Sequence, residues 1–131
     1  MGLDTSHDCW HGAYSAFRSL RNAVADAAGW PMNADRSDYL LPLDELTDAN
    51  FAGDWDHVPG DDPLIVFLAH SDCDGVIHPE QGVHVAKRLR EIAPKLPDEG
   101  GGHIWSMRGC TLKFAAGIER AAEAGEDVDF H

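Results

Sequence analysis

The chain has 131 residues, 44% of them apolar, which is enough for one folded domain with a single core. It carries 23 Asp and Glu against 10 Lys and Arg, and this net charge of −13 argues against a basic nucleic-acid-binding module. The longest apolar run, Leu64–Ala69, is too short to span a bilayer. We therefore predict one globular domain over residues 1–131, with no direct nucleic-acid binding and no membrane span.

The first predicted element is a helix over residues 11–28. Apolar side chains recur there at helical spacing, and Gly29, followed by Trp30 and Pro31, supplies a stop signal. Residues 31–62 are rich in turn-forming residues and are predicted to be loop with short helical pieces. The apolar stripe of this first helix comprises Trp10, Ala13, Tyr14, Phe17, Leu20, Val24, Ala27 and Ala28.

The apolar run Leu64–Ala69 fits either a buried strand or a buried helix. Two aspartates followed by Pro63 are typical of a helix start, so we favour a helix. A further helix is predicted from Pro79 to Ala93, because Pro94 stops it. Its expected inner stripe is Val83, Ala86, Leu89, Arg90 and Ala93.

The last helix is predicted over residues 104–124 and ends at Gly125. Gly117 inside it indicates close packing, and Cys110 is expected in the core. The terminal residues 127–131 alternate in polarity, which favours a short edge strand. The predicted stripe of the helix is Trp105, Leu112, Ala115, Ile118, Glu119 and Ala122. The fold class is therefore mainly α: a compact bundle of about four helices, with an EF-hand-like helix–loop–helix and short strands at the termini.

Nearly all of the net charge lies in residues 37–86. This segment contains eleven carboxylates and no Lys or Arg, so it creates a negative field that attracts cations or a basic partner. A solvated face that only keeps the protein soluble is the simpler interpretation. The eleven residues are Asp38, Asp44, Glu45, Asp48, Asp54, Asp56, Asp61, Asp62, Asp72, Asp74 and Glu80.

The segment His70–Gln81 resembles an EF-hand or dockerin-type calcium loop. If Gly75 is loop position 6, Asp72 and Asp74 occupy positions 3 and 5, and Val76 offers the carbonyl of position 7. Position 1 is His70 instead of Asp, and position 12 is Gln81 instead of Glu, with Glu80 one residue early. The candidate ligands are therefore His70, Asp72, Asp74 and Glu80. A loop without metal, in which the aspartates cap the next helix, is the alternative.

Nitrogen and sulfur donors offer a zinc alternative. His7, Cys9 and His11 alternate, so an extended segment would point them to one side. Cys9 and His11, together with His70 and Cys73, would make a Cys2His2 tetrahedral site. Buried core cysteines and capping histidines are the simpler interpretation of the same residues.

Catalysis is the less favoured class, and no organic cofactor is indicated. Cys9 beside His11 raises the question of a thiolate nucleophile, but sequence adjacency is not catalytic geometry. Asp72 and Asp74, with His70 and His78, would hold a metal for phosphoester hydrolysis. Three cysteines leave one unpaired, and no secretory signal opens the chain, so we expect a reducing, cytoplasmic compartment. A Cys9–Cys73 disulfide remains an alternative.

Three blocks of the chain resemble a family of small uncharacterised proteins encoded by phages and prophages. The blocks are Gly2–Gly12, His70–Gly75 and Val128–His131. The resemblance spans most of the chain and implies a host cytoplasm and an accessory, host-interaction role, without any reaction. The leading hypothesis is a small acidic accessory protein that binds a calcium or zinc ion. The alternatives are an acidic protein that mimics nucleic acid or binds a basic host or defence protein, and a metal-dependent hydrolase.

Overall fold

A computed structural model describes residues 2–30, 32, 34–35, 63–68, 70, 73–100 and 104–131. Within them the chain is mainly α-helical, with short strands near both termini, as the sequence predicts. The predicted loop and helical pieces of 31–62 lie almost wholly outside the described residues, as does the Asp61–Asp62 helix start. In order, the elements are β1 (Gly2–Asp4), β2 (His11–Ala13), α1 (Tyr14–Ala27), α2 (Ile65–Leu68), β3 (Val76–Ile77), α3 (Pro79–Ile92), α4 (Met107–Glu123) and β4 (Val128–Asp129), with 3-10 turns at Ser6–Asp8 and Ala93–Lys95.

Four phenylalanines from four separate segments form the centre of the core. Phe17 of α1 and Phe114 of α4 stack with ring centroids 5.9 Å apart, and Phe67 of α2 meets Phe114 edge-on at 5.0 Å. Phe130, just after β4, packs beside Phe17 at 6.3 Å. All four rings are at most 1% exposed. Burying each contributes about 1.5–3 kcal/mol, so this cluster joins the helices to the C-terminal tail.

Among the described elements, helices α3 and α4 pack most extensively against each other. Gly82 lets them approach, since a Cβ atom at that position would lie 2.8 Å from Cγ2 of Ile118. On the surface, the Nε atom of Arg90 donates to Glu119 at 2.7 Å, and a second guanidinium nitrogen contacts the other carboxylate oxygen. This bidentate pair is a second contact between the two helices, in addition to the one at Gly82.

The two ends of the chain meet in antiparallel β-structure. Strand β1 pairs with β2, and β3 pairs with β4. A bridge between Thr5 and Phe130 connects the first pair to the second. The predicted terminal edge strand is therefore confirmed, and its partner is Val76–Ile77, inside the segment that resembles a calcium loop. This pairing anchors that segment on the core.

The helical predictions are confirmed in position and corrected in detail. The first helix begins at Tyr14 and not at 11, because residues 11–13 pair with β1. The last begins after Ser106, whose hydroxyl accepts from the amide of Gly109 at 2.9 Å. The run at 64–69 forms one helical turn, Ile65–Leu68. The third helix matches its predicted bounds within a residue.

The predicted inner stripes are confirmed in part. Of the stripe on the third helix, Ala86, Leu89 and Ala93 are buried as predicted, whereas Val83, which is 55% exposed, and Arg90 are wrong. Gly82, Val85 and Ile92 complete the buried face of α3. Trp105 is also wrong, being 69% exposed and outside the helix. The buried face of α4 comprises Cys110, Thr111, Phe114, Ala115, Gly117, Ile118 and Ala121, which confirms Cys110 and leaves Leu112 and Ala122 half-buried. None of the described helices is both long and apolar enough to cross a membrane.

Candidate metal-binding residues

The segment 70–81 follows α2, which is a single helical turn, and runs into the first turn of α3, so the predicted EF-hand-like pair of helices is not clearly formed. Gly75 has φ of +89°, in the left-handed region that glycine adopts without strain. A Cβ atom there would also lie 3.2 Å from the His70 ring, so the turn needs glycine for space as well. Asp74 is exposed. Asp72 lies outside the described residues. The sequence therefore identifies the turn correctly.

His70, at loop position 1, is buried and well anchored. Its Nε2 atom lies 3.0 Å from the carbonyl oxygen of Val76, which is loop position 7. The ring stacks on Phe130 with centroids 4.0 Å apart, and the His70 carbonyl accepts from Arg21 of α1 at 2.6 Å. Because a carbonyl oxygen only accepts, Nε2 carries the hydrogen in this bond. The imidazole thus links loop positions 1 and 7, both of which bind the cation in a calcium loop.

The far end of the segment is used to cap α3. The backbone amide of His78 donates to Oε1 of Gln81 at 3.2 Å, as in a capping box. The His78 ring pairs with Asp127 through Nδ1 at 3.0 Å. Glu80 is exposed in the first helical turn, where a carboxylate complements the helix dipole. Gln81 therefore serves the helix start and does not supply a twelfth-position carboxylate.

The three N-terminal donors, His7, Cys9 and His11, do not point to one side. The N-terminal segment is not extended, because Ser6–Asp8 form a 3-10 turn with positive φ at His7 and Asp8. The prediction that His7, Cys9 and His11 share one side is therefore wrong. His7 reaches Glu126 at 3.0 Å, Cys9 is buried, and His11 is exposed.

No disulfide joins Cys9 and Cys73, so that alternative is not realised. Burial raises the pKa of the Cys9 thiol to about 11, and burial also raises that of Cys110. Cys73 is exposed. A metal ligand or a nucleophile needs the thiolate, so Cys9 is poorly suited to either role. It lines a small cavity of about 80 Å³ with Trp10, His11, Gly12, Ala16, Trp105, Cys110 and Lys113.

One histidine–carboxylate group was not anticipated from the sequence. His11, Asp4 and His131 stand side by side on three neighbouring extended segments. Nδ1 of His11 lies 3.4 Å from Oδ1 of Asp4, and Nε2 of His131 lies 3.9 Å from Oδ2 of the same carboxylate. The sequence shows alternating residues near both termini, but it does not show which of these residues pair across the strands. We call these three residues the terminal row.

Within the part of the chain that the structure describes, no three His, Cys, Asp or Glu side chains are arranged to enclose a metal ion. Comparison of the chain with protein-family models, curated proteins and solved structures finds no match. The functional argument therefore depends on the geometry of individual residues.

Proposed function

We propose that the protein is a small, non-catalytic accessory protein of phage type that binds a divalent cation in the segment 70–81. The observation that carries this proposal is the 3.0 Å separation between Nε2 of His70 and the carbonyl oxygen of Val76. Two ligands of a tetrahedral ion, with bonds of about 2.1 Å, lie about 3.4 Å apart. An ion bound between the two atoms would therefore replace the hydrogen bond and move them apart by about 0.4 Å.

The donor set favours zinc over calcium. An imidazole nitrogen at position 1 is a borderline ligand that suits zinc, whereas calcium takes oxygen ligands. Asp74 supplies a carboxylate on the exposed side of the turn, and the sequence offers Asp72 beside it. Binding of an ion at Nε2 would require the imidazole hydrogen to move from Nε2 to Nδ1.

Elemental analysis of protein purified without chelator, combined with thermal melting, tests this proposal. We expect about one equivalent of zinc, a lower Tm with EDTA and a higher Tm with added zinc. Asp74→Asn should abolish the zinc shift, and Glu123→Gln, which removes an exposed carboxylate from the end of α4, should keep it. If the Tm rises with calcium alone, the site stands and its ion is calcium instead of zinc. An unchanged Tm with every addition would overturn the proposal.

The acidic segment 37–86 favours a second candidate, a protein that binds a basic host or defence partner. The specific observation is the complete absence of Lys and Arg among eleven carboxylates. Neutralising Asp54, Asp56, Asp61 and Asp62 should weaken salt-sensitive binding of a polylysine probe. Neutralising four carboxylates elsewhere, at Glu91, Asp98, Glu99 and Glu123, should weaken it much less. If both variants lose binding equally, binding depends only on the net charge, which would contradict a defined acidic face.

The hydrolase hypothesis needs a separate result. Metal-dependent cleavage of a phosphodiester substrate that disappears in Asp72→Asn would replace the non-catalytic proposal.

A further inference from the structure

We propose that the terminal row, His11, Asp4 and His131, is a second metal site that takes a divalent transition ion such as zinc or nickel. The inference concerns residues outside the segment 70–81, so it does not depend on the proposed function. An ion bound there would join three extended segments and hold both ends of the described chain together.

The backbone register places the three side chains on one face. Asp4 is the partner of His11 in the β1–β2 ladder. On its other side, Asp4 and His131 exchange two backbone hydrogen bonds, of 3.1 and 2.8 Å. Residues directly opposite each other in antiparallel strands project their side chains to the same face, with Cβ atoms about 5 Å apart. The order across the strands is therefore imidazole, carboxylate, imidazole.

Two imidazoles and one carboxylate are a donor set that transition ions prefer. The structure places the imidazole nitrogens 3.4 and 3.9 Å from the oxygens of the carboxylate. As they stand, the three side chains do not enclose an ion. They are 82%, 51% and 61% exposed for His11, Asp4 and His131, so packing does not fix their rotamers, and side-chain rotation would bring one nitrogen from each ring and one carboxylate oxygen onto a single ion.

The second nitrogen of His131 supports the same interpretation. Its Nδ1 atom lies 3.9 Å from Oδ2 of Asp129, while Nε2 faces Asp4. A metal-bound histidine commonly directs its other ring nitrogen to a carboxylate, which sets the tautomer and raises the basicity of the ligand. Asp129 also adds negative charge beside the row, so the local field favours a cation over an anion.

Isothermal titration of zinc chloride into the full chain tests the inference. The variants are His11→Ala, His131→Ala and Asp4→Asn, and the control is His84→Ala, an exposed histidine of α3. Each row variant should weaken this binding event by at least about tenfold, since even outer ligand partners change affinity by that much. The control should bind like the wild type. Melting curves recorded with EDTA will show that the exposed substitutions leave the fold intact.

This experiment can overturn the terminal row and the proposed function separately. Zinc binding lost in the row variants but kept in Asp74→Asn supports the terminal row. Zinc binding kept in all row variants and lost in Asp74→Asn overturns the row and leaves the proposed function standing. Two binding events, each abolished by its own variants, support both sites. The absence of any zinc binding overturns the terminal row, and it overturns the proposed function as well if calcium also leaves the Tm unchanged.

Discussion

His70 and Val76 form the contact that closes the loop segment: the imidazole Nε2 donates to the carbonyl oxygen across 3.0 Å. The same ring stacks on Phe130, which belongs to the aromatic cluster of the core. Through this one side chain, the turn at Gly75 is tied both to its own backbone and to the C-terminal tail. The loop segment is therefore preorganised by the protein itself, and its hydrogen bond should contribute to stability.

Replacing His70 by Phe separates the hydrogen bond from the ring packing. Phenylalanine keeps an aromatic ring against Phe130 but removes the donor, which leaves the Val76 carbonyl without its imidazole partner. We expect a loss of about 1–3 kcal/mol in the free energy of unfolding, measured by urea denaturation with EDTA present. His84→Phe, at an exposed position of α3, should change stability by less than about 0.5 kcal/mol. Equal stability of the two variants would contradict the role of the hydrogen bond.

Two glycines of α4 should respond oppositely to alanine. A Cβ atom at Gly117 would lie 2.4 Å from Sγ of Cys9 and 2.9 Å from the backbone oxygen of His7, so something must shift. We expect Gly117→Ala to lower the free energy of unfolding by about 1–3 kcal/mol. Urea unfolding of the purified variant provides the measurement. The sequence predicts close helix packing at Gly117, whereas the structure brings the N-terminal turn, and not another helix, against it.

Gly109→Ala is the matched control on the same helix. A Cβ atom there would meet only the ring of Trp105 among the nearest atoms, and this ring is 69% exposed and able to swing aside. Alanine also favours the helix by about 1 kcal/mol over glycine. We therefore expect Gly109→Ala to be neutral or stabilising in the same urea experiment. A loss as large as that of Gly117→Ala would show that the tight contact is not what distinguishes the two positions.

The helices could be read from the sequence because their periodicity is local. Gly29 and Pro79 mark helix boundaries through backbone preferences that act within a turn. The exposure of Val83 could not be read, because it depends on where α4 packs: α4 lies against Gly82, while Val83 faces solvent. Gly82 has no side chain and therefore adds nothing to the apolar periodicity of the helix.

The candidate sites also combine local features, which the sequence shows, with contacts that depend on tertiary structure. The turn at Gly75 is a local feature, and the sequence identifies it. The contact of Asp4 with His131 depends on pairing residues from opposite ends of the chain, a register set by tertiary structure. The burial of Cys9 likewise follows from its contact with Gly117, over a hundred positions away along the chain. Metal ligands chosen by spacing alone therefore included a thiol with a raised pKa.

Thiol labelling should distinguish the three cysteines. Cys73 is exposed, whereas Cys9 and Cys110 are buried. The thiolate is the reactive form, and the Cys9 pKa of about 11 leaves very little of it at pH 8. With Ellman's reagent at pH 8, we expect one thiol per chain to react rapidly and the other two only on unfolding. Cys73→Ser should remove the rapid phase. Rapid labelling of a second thiol in the folded protein would contradict the burial of Cys9 and Cys110.

Cys9 also predicts a loss of stability in alkali. Burial raises its pKa in the folded state from 9.0 to about 11, so the unfolded chain ionises first. The stability associated with the neutral thiol is therefore complete below pH 9 and declines as the pH rises toward 11. Cys9→Ala removes this titration but leaves the other alkaline effects. Comparing urea unfolding at pH 7.5 and 10 should show a smaller alkaline loss in Cys9→Ala than in the wild type. An identical loss in both proteins would contradict the prediction.

The Arg90–Glu119 pair predicts a modest acid sensitivity of the contact between α3 and α4. The hydrogen bond from Arg90 lowers the pKa of Glu119 below its ordinary value of 4.5. A lowered carboxyl pKa means that the stabilisation is present above pH 4.5 and disappears as the pH falls through the folded-state value. Because the two side chains are 46% and 37% exposed, water screens the pair, and its contribution should be at most about 1 kcal/mol.

Glu119→Gln is the variant that measures this contribution. At pH 7 and low salt, we expect it to unfold at a slightly lower urea concentration than the wild type. The difference should shrink in high salt, where exposed charges are screened, and should vanish at a pH where the wild-type carboxylate is protonated. Glu123→Gln, one turn further along α4, controls for the loss of a negative charge from an acidic protein. A difference between Glu119→Gln and wild type that persists unchanged in acid would mean that packing, and not the ion pair, joins the helices at this point.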